Sequence, residues 1–260
     1  MARTKKDKTQ TVVATRFGWR RWLAVGITLL AFASMAMAAR SVARYVSADP
    51  RFTLSRERPG SLQLRGLVYT SRPKVMRVFA NDFERSLYSI PLDERRRRLL
   101  AIDWIESASV ARIWPDRLVV TVQERKPVAF VRSRSAIMLI DRHGVLLEQP
   151  PQARFTFPFL AGVDSSQTEA ERAVRVRRML DLLQELGTEG KDVSEIDTTE
   201  NSNLRVVVKA GNAAVELLLG DTNYLSRYQT FTRTFSQVPA GLPDGKVFDL
   251  RIDGSMLERK

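Results

Sequence analysis

Cysteine is absent from the 260-residue sequence, and histidine occurs once. The first absence excludes disulfides, cysteine-ligated zinc, iron–sulfur clusters and thiol nucleophiles. It leaves the compartment open, because a cysteine-free chain is at home on either side of a membrane. A single histidine rules out a multi-histidine metal site and leaves little room for acid–base catalysis by imidazole. There is no phosphate-cradling glycine loop, no Gly-x-Ser-x-Gly elbow and no internal repeat. Positive charge is plentiful: 42 Lys and Arg stand against 29 Asp and Glu, a net +13. Such an excess points first to nucleic acid or an anionic membrane, and its distribution decides between them. Residues 1–21 carry +6, residues 22–60 +3, residues 61–127 +5 and residues 128–260 −1. A hydrophobic fraction of 44% suits a folded chain of one or two domains.

Long apolar runs are scarce too; one stands out, Trp22 to Ala39, 18 residues without a charge. At ~1.5 Å per residue this makes a helix of roughly 27 Å, close to the hydrocarbon thickness of a bilayer. Trp19, Arg20, Arg21 and Trp22 flank its start and Arg40 its end, the residue types that favour membrane interfaces. The basic leader, 1–21, is therefore expected to be cytoplasmic, and everything after the helix exported. Ala36-Met37-Ala38 has the small-x-small form of a signal-peptidase site. The long leader and long apolar run favour an uncleaved anchor instead.

Beyond the anchor, residues 40–60 mix charge, Pro and Gly and read as a juxtamembrane linker with a brief strand around Phe52–Leu54. Residues 61–127 read β-α-α-β-β. An alternating strand holds Leu62 and Leu64, and a short helix lies within 72–87. A second helix runs from Leu92 to Ile102, and strands at Ala108–Ile113 and Leu118–Val122 are separated by the Trp114-Pro115-Asp116 turn. Residues 128–252 are strand-rich. A meander covers Val128–Val131, Ile137–Ile140 and Val145–Leu147. A helix spans Ala170–Leu186, with Val174, Met179, Leu182, Leu183 and Leu186 available to a core. Strands follow at Leu204–Val208 and Val215–Leu219, then a helix at Tyr224–Phe235 and a final strand at Val247–Ile252. Residues 253–260 are a short tail. The fold class is α+β behind a single transmembrane helix.

Chemistry-bearing residues are few. His143 lies in Asp141-Arg142-His143-Gly144 between two apolar strands, as a hairpin loop would. Asp82/Glu84 and Asp93/Glu94 read as solvated acids at loop and helix starts. Arg95-Arg96-Arg97-Arg98 fan around most of a helix and cannot face one ligand, so they read as a solvated face with stems packed over the core. No catalytic, cofactor or metal residue is expected, nor a nucleic-acid or small-molecule partner. A membrane-anchored cell-wall enzyme is the alternative reading.

The stretch Leu99 to Ala129, LLAIDWIESASVARIWPDRLVVTVQERKPVA, resembles the bacterial cell-division family FtsQ/DivIB. The matching residues are Trp104-Ile105, Ala108, Val110, Arg112, Trp114-Pro115, Leu118, Val120, Val122, Glu124 and Pro127-Val128-Ala129. Leu139-Ile140-Asp141 with Gly144, Pro158-Phe159-Leu160 with Gly162, and Asp249-Leu250-Arg251 extend the likeness. Asp103 replaces a usual proline, Ile252 a frequent tyrosine, and Asn201-Ser202-Asn203-Leu204 an Arg-x-Trp pattern. The resemblance implies a POTRA module followed by a β-domain, in a non-enzymatic, single-pass divisome scaffold of the inner membrane at the septum. It implies partner contacts at Val110 and Arg112 for other divisome members. It further implies that bitopic proteins of the FtsB and FtsL type dock by strand addition at Val247–Ile252. The residues expected there are Tyr224, Arg227, Tyr228, Phe248, Leu250, Arg251 and Ile252, with Phe231 on the same helix.

Overall fold

The computed structural model describes residues 19–133, 136–235, 245–252 and 255–259. The leader 1–18 and the side chains of Trp19, Arg20 and Arg21 lie outside the described residues, so the expectations placed on them go no further here. Helix α1, Trp19–Ala48, carries no charged residue on any face from Trp22 to Ala39. Three of its hydroxyls bond within the helix: Thr28 Oγ1 donates to the Val25 carbonyl at 2.8 Å, Ser34 Oγ to Ala31 at 2.9 Å and Ser41 Oγ to Met37 at 2.9 Å. That is how polar side chains are accommodated where no water is available. Arg40 lies within the helix rather than beyond its end. The helix continues to Ala48, into the stretch expected to be a linker, because no breaker intervenes before Pro50.

The first module is built on β1 (Leu62–Arg65), α2 (Arg72–Val78), α3 (Leu92–Leu100), β2 (Ile105–Ile113) and β3 (Arg117–Glu124). Its sheet has the order β1-β3-β2, with β1 parallel to β3 and β2 antiparallel to it, Val110 opposite Val120. Alternation along β3 turns Leu118, Val120 and Val122 into one core with Val75, Phe79 and Leu99 from the helices. Leu54, from the expected linker, is fully buried in that core, and Thr53 bridges Ser86; there is a bridge there but no strand.

The arginine run is a partial exception to the solvated-face reading. Arg95 is buried against Asp82, which is not a solvated acid but 0% exposed. Arg96 Nε reaches the Ala108 carbonyl, and Arg98 pairs with Glu94 in solvent.

The second module comprises β4 (Pro127–Ser133), β5 (Ala136–Asp141), β6 (Leu146–Leu147), β7 (Phe159–Ala161), α4 (Glu169–Leu186), β8 (Val193–Glu200), β9 (Asn203–Ala210), β10 (Ala213–Gly220), α5 (Tyr224–Phe235), β11 (Val247–Asp249) and β12 (Leu257–Arg259). They form one sheet in the order β12-β11-β10-β9-β8-β7-β4-β5-β6. Val176, Met179, Leu182 and Leu186 of α4, with Tyr228 and Phe231 of α5, cover one face. Val174, expected in that core, is exposed; Val176 takes its place, at the i−3 position of Met179. A capping box between Thr168 and Glu171 starts α4.

The opposite face of β4 and β5 carries a second cluster, where Leu139 and Leu147 pack with Trp104 of the first module, and Phe130, Phe155 and Phe157 close around them. Trp104 Nε1 donates to the Glu148 carbonyl at 2.9 Å, and its ring lies 5.2 Å from Tyr69 and 6.5 Å from Phe155. Arg125 adds a bridge, donating from Nε to the Asp103 carbonyl and from Nη1 to Asp141 Oδ2, both at 2.9 Å. His143, on the hairpin turn, sits 3.4 Å from Glu106 across the same junction.

Candidate functional site

With the fold in place, the family-implied contact residues fall into two groups. In the β-domain, β11 runs parallel to β10, with Phe248 opposite Leu217. Leu250 continues the pairing, donating its N–H to the Leu218 carbonyl at 3.1 Å. Phe248 and Leu250 are buried, as are Arg227 and Tyr228 on α5. Arg227 Nη1 donates to the Leu219 carbonyl at 2.6 Å beneath the end of β10. Burial pushes the phenols of Tyr228 and Tyr224 above their usual pKa. The α5 face carrying Arg227, Tyr228 and Phe231 is therefore packed into the core. Tyr224, half-buried, caps the loop before it by donating to the Asp221 carbonyl at 3.0 Å.

Arg251 and Ile252 do stand at the surface. Arg251 is held bidentately by Asp249, Nε to Oδ1 at 2.8 Å and Nη2 to Oδ2 at 2.5 Å. The hydrogen bonds from Arg251 hold the Asp249 carboxyl below the usual carboxylate range. Arg259 approaches the same carboxylate at 3.9 Å.

The edge itself lies elsewhere than expected. Beyond Val247–Asp249 the sheet gains β12, antiparallel, with Asp249 opposite Leu257 and Val247 opposite Arg259. An ion pair between Lys246 and Glu258 fastens it. Strand β12 is the outermost strand on this side, all three of its residues are exposed, and Ile252 and Leu257 leave apolar side chains there in solvent. Main-chain groups on its outer side are the kind that accept another strand. The opposite edge, β6, is two residues long and offers little.

In the first module β2 is an outer strand, and Val110 and Arg112 both lie on it. Val110 packs half-buried against the core. Arg112 is a brace: Nε donates to the Leu87 carbonyl at 2.6 Å and Nη2 to that of Ile90 at 2.5 Å. Sequence reasoning missed β12, since Leu257–Arg259 has no periodicity to read, and missed Asp249 as the partner of Arg251. No cluster of three or more metal-ligating side chains occurs among the described residues.

An apolar helix long enough to cross a bilayer, ahead of a β-α-α-β-β module and a nine-stranded sheet with two helices, is the architecture of a membrane-anchored POTRA protein. Residues 58–125 match the FtsQ-type POTRA domain, and residues 129–251 match the C-terminal domain of the cell division protein FtsQ/DivIB. The chain belongs to the FtsQ/DivIB family of cell-division proteins. It is 34% identical over 213 residues to the cell division protein FtsQ of Koribacter versatilis, covering 80% of this chain and 61% of that protein. It is 28% identical over 192 residues to the protein of the same name from Novosphingobium aromaticivorans, covering 74% and 56%. The chain thus spans about three fifths of the length of these relatives.

Proposed function

We propose that the protein acts by binding rather than catalysis, as a scaffold that links early and late division proteins at the septum. The leader faces the cytoplasm and the two modules lie outside it. Its β-domain receives a bitopic partner of the FtsB or FtsL type as an added strand on the outer edge of β12. The observation that carries this reading is an open, fully exposed strand at the end of an otherwise continuous sheet. Ile252 and Leu257 offer apolar contacts beside it, and Arg251, kept charged and oriented by Asp249, offers a partner carboxylate a second hydrogen-bonding face. The outer edge of β2 supports a second contact, with an earlier divisome member, in which Val110 and Arg112 shape the strand from behind.

Co-purification from membranes tests the first contact. Glu258→Pro, or removal of residues 257–260, should abolish recovery of the bitopic partner while the thermal midpoint changes little. Arg251→Ala should weaken recovery. Full recovery with β12 removed would move the docking strand to β11 or away from the sheet. Turnover of peptidoglycan by the purified chain would overturn the non-enzymatic reading.

A further inference from the structure

One end of the POTRA module gathers exposed apolar side chains that its core does not use. Tyr88 is 61% exposed, Trp114 49% and Ile113 45%. Several contacts place them together. Arg112 Nε reaches the Leu87 carbonyl, which ties the end of β2 to the turn Leu87–Ser89. Trp114 stands edge-on to Phe52 with ring centroids 5.5 Å apart. The chain leaves α1 at Ala48, turns through Pro50–Phe52 and bridges Ser86 from Thr53, and α1 itself runs beside Leu87–Ser89. Arg51 and Arg117, both exposed, flank the group.

The helix sets the height of this end. Trp22–Val42 is 21 residues long, about 31 Å at ~1.5 Å per residue, which fills the hydrocarbon layer. Ala48 lies only six residues further, about 9 Å when upright and less when tilted. The headgroup layer is itself roughly 5–8 Å deep on each side. The turn Leu87–Ser89 beside the helix, and Trp114, which meets Phe52 just past the helix end, therefore lie close to headgroup level. Tyrosine and tryptophan with adjacent arginines are the residues that settle there, ring in the apolar boundary and polar atoms toward water.

We propose that Tyr88, Ile113 and Trp114 form a lipid-docking tip, inserted into the interfacial layer of the leaflet in which α1 ends. The proposal rests on α1 spanning the bilayer. Its occupant is the phospholipid surface itself, with Arg51 and Arg117 adding affinity for anionic headgroups.

The absence of cysteine allows single labels on the full chain. Tyr88→Cys, Ile113→Cys, Val174→Cys and Phe32→Cys would each carry an environment-sensitive fluorophore. The protein is reconstituted in phosphatidylcholine vesicles, with and without phosphatidylglycerol and with nitroxide lipids labelled near the headgroup or at the chain end. Labels at positions 88 and 113 should be blue-shifted and quenched several-fold more strongly by headgroup nitroxides than the label at 174. The label at 32 should be quenched by chain-end nitroxides. If 32 responds but 88 and 113 behave like 174 in both lipids, the tip is not in the bilayer; the proposal falls and the patch is left for a protein occupant. If 32 does not respond, the membrane-spanning reading and the proposal fall together.

Discussion

Arg95 meets Asp82 side-on, Nε to Oδ2 at 2.5 Å and Nη2 to Oδ1 at 2.8 Å, with the arginine 5% exposed and the aspartate fully enclosed. The hydrogen bond to Asp82 raises the pKa of the guanidinium further, so the arginine is charged at any physiological pH. Arg95→Ala would remove both short hydrogen bonds from a buried carboxylate and leave it only the 4.0 Å approach of Arg85. It should destabilise the POTRA module by about 3–5 kcal/mol in denaturant unfolding. Arg98→Ala removes only a solvent-exposed bridge to Glu94 and should cost about 0.5 kcal/mol or less. Equal effects would refute the distinction.

Glu124 receives the backbone N–H groups of Val68, Tyr69 and Thr70 at 3.1, 2.8 and 2.7 Å. Burial pushes its pKa up, but the hydrogen bonds from Thr70, Tyr69 and Val68 outweigh that and hold it below the usual range. A carboxyl whose pKa is depressed on folding stabilises above its unfolded value of about 4.3, and this is lost as pH falls through the folded value. The loop 67–70 should therefore lose hydrogen-exchange protection on acidification below about pH 4, and Glu124→Gln should remove that dependence.

The junction between the modules depends on Trp104. Trp104→Ala should cost about 3–5 kcal/mol and expose the segment 148–157 to proteolysis. Trp104→Phe keeps most of the ring but leaves the Glu148 carbonyl without its donor, for about 1 kcal/mol. In a double-mutant cycle, Trp104→Ala and Phe155→Ala should be non-additive, since the rings share one cluster.

Gly144 and His143 are neighbours with opposite prospects. Gly144 has φ +82°, and a Cβ there would fall 2.3 Å from the Glu169 carbonyl at the start of α4. Gly144→Ala should destabilise the β-domain by about 2 kcal/mol or more. His143→Ala, at a half-exposed side chain with one 3.4 Å contact, should change stability by about 0.5 kcal/mol or less and leave partner recovery intact.

Where a pattern extended over many residues, the sequence could be read directly. The β-α-α-β-β order, the Trp114-Pro115 turn and both β-domain helices follow from apolar spacing and breakers, and Tyr224–Phe235 is found at the limits expected. Strand β8 escaped because Val193–Glu200 buries only Val193, Ile196 and Thr198 among acids and hydroxyls. The burial of Arg227 and Tyr228 was not legible because both look polar in sequence; only the fold places the Leu219 carbonyl where Arg227 can be buried. Strand β12 pairs with β11, the strand just before it, but its three residues are too few for any pattern to show.

Trp104 joins the modules more tightly than a linker would, with Arg125 and the aromatic rings around it. The two modules together make a strut, not beads on a string. The distance from the POTRA module to β12 is then a constant of the fold. In the docking proposed above, a strand added to this edge would be held at that fixed distance, so the junction would work as a ruler for what is assembled on it.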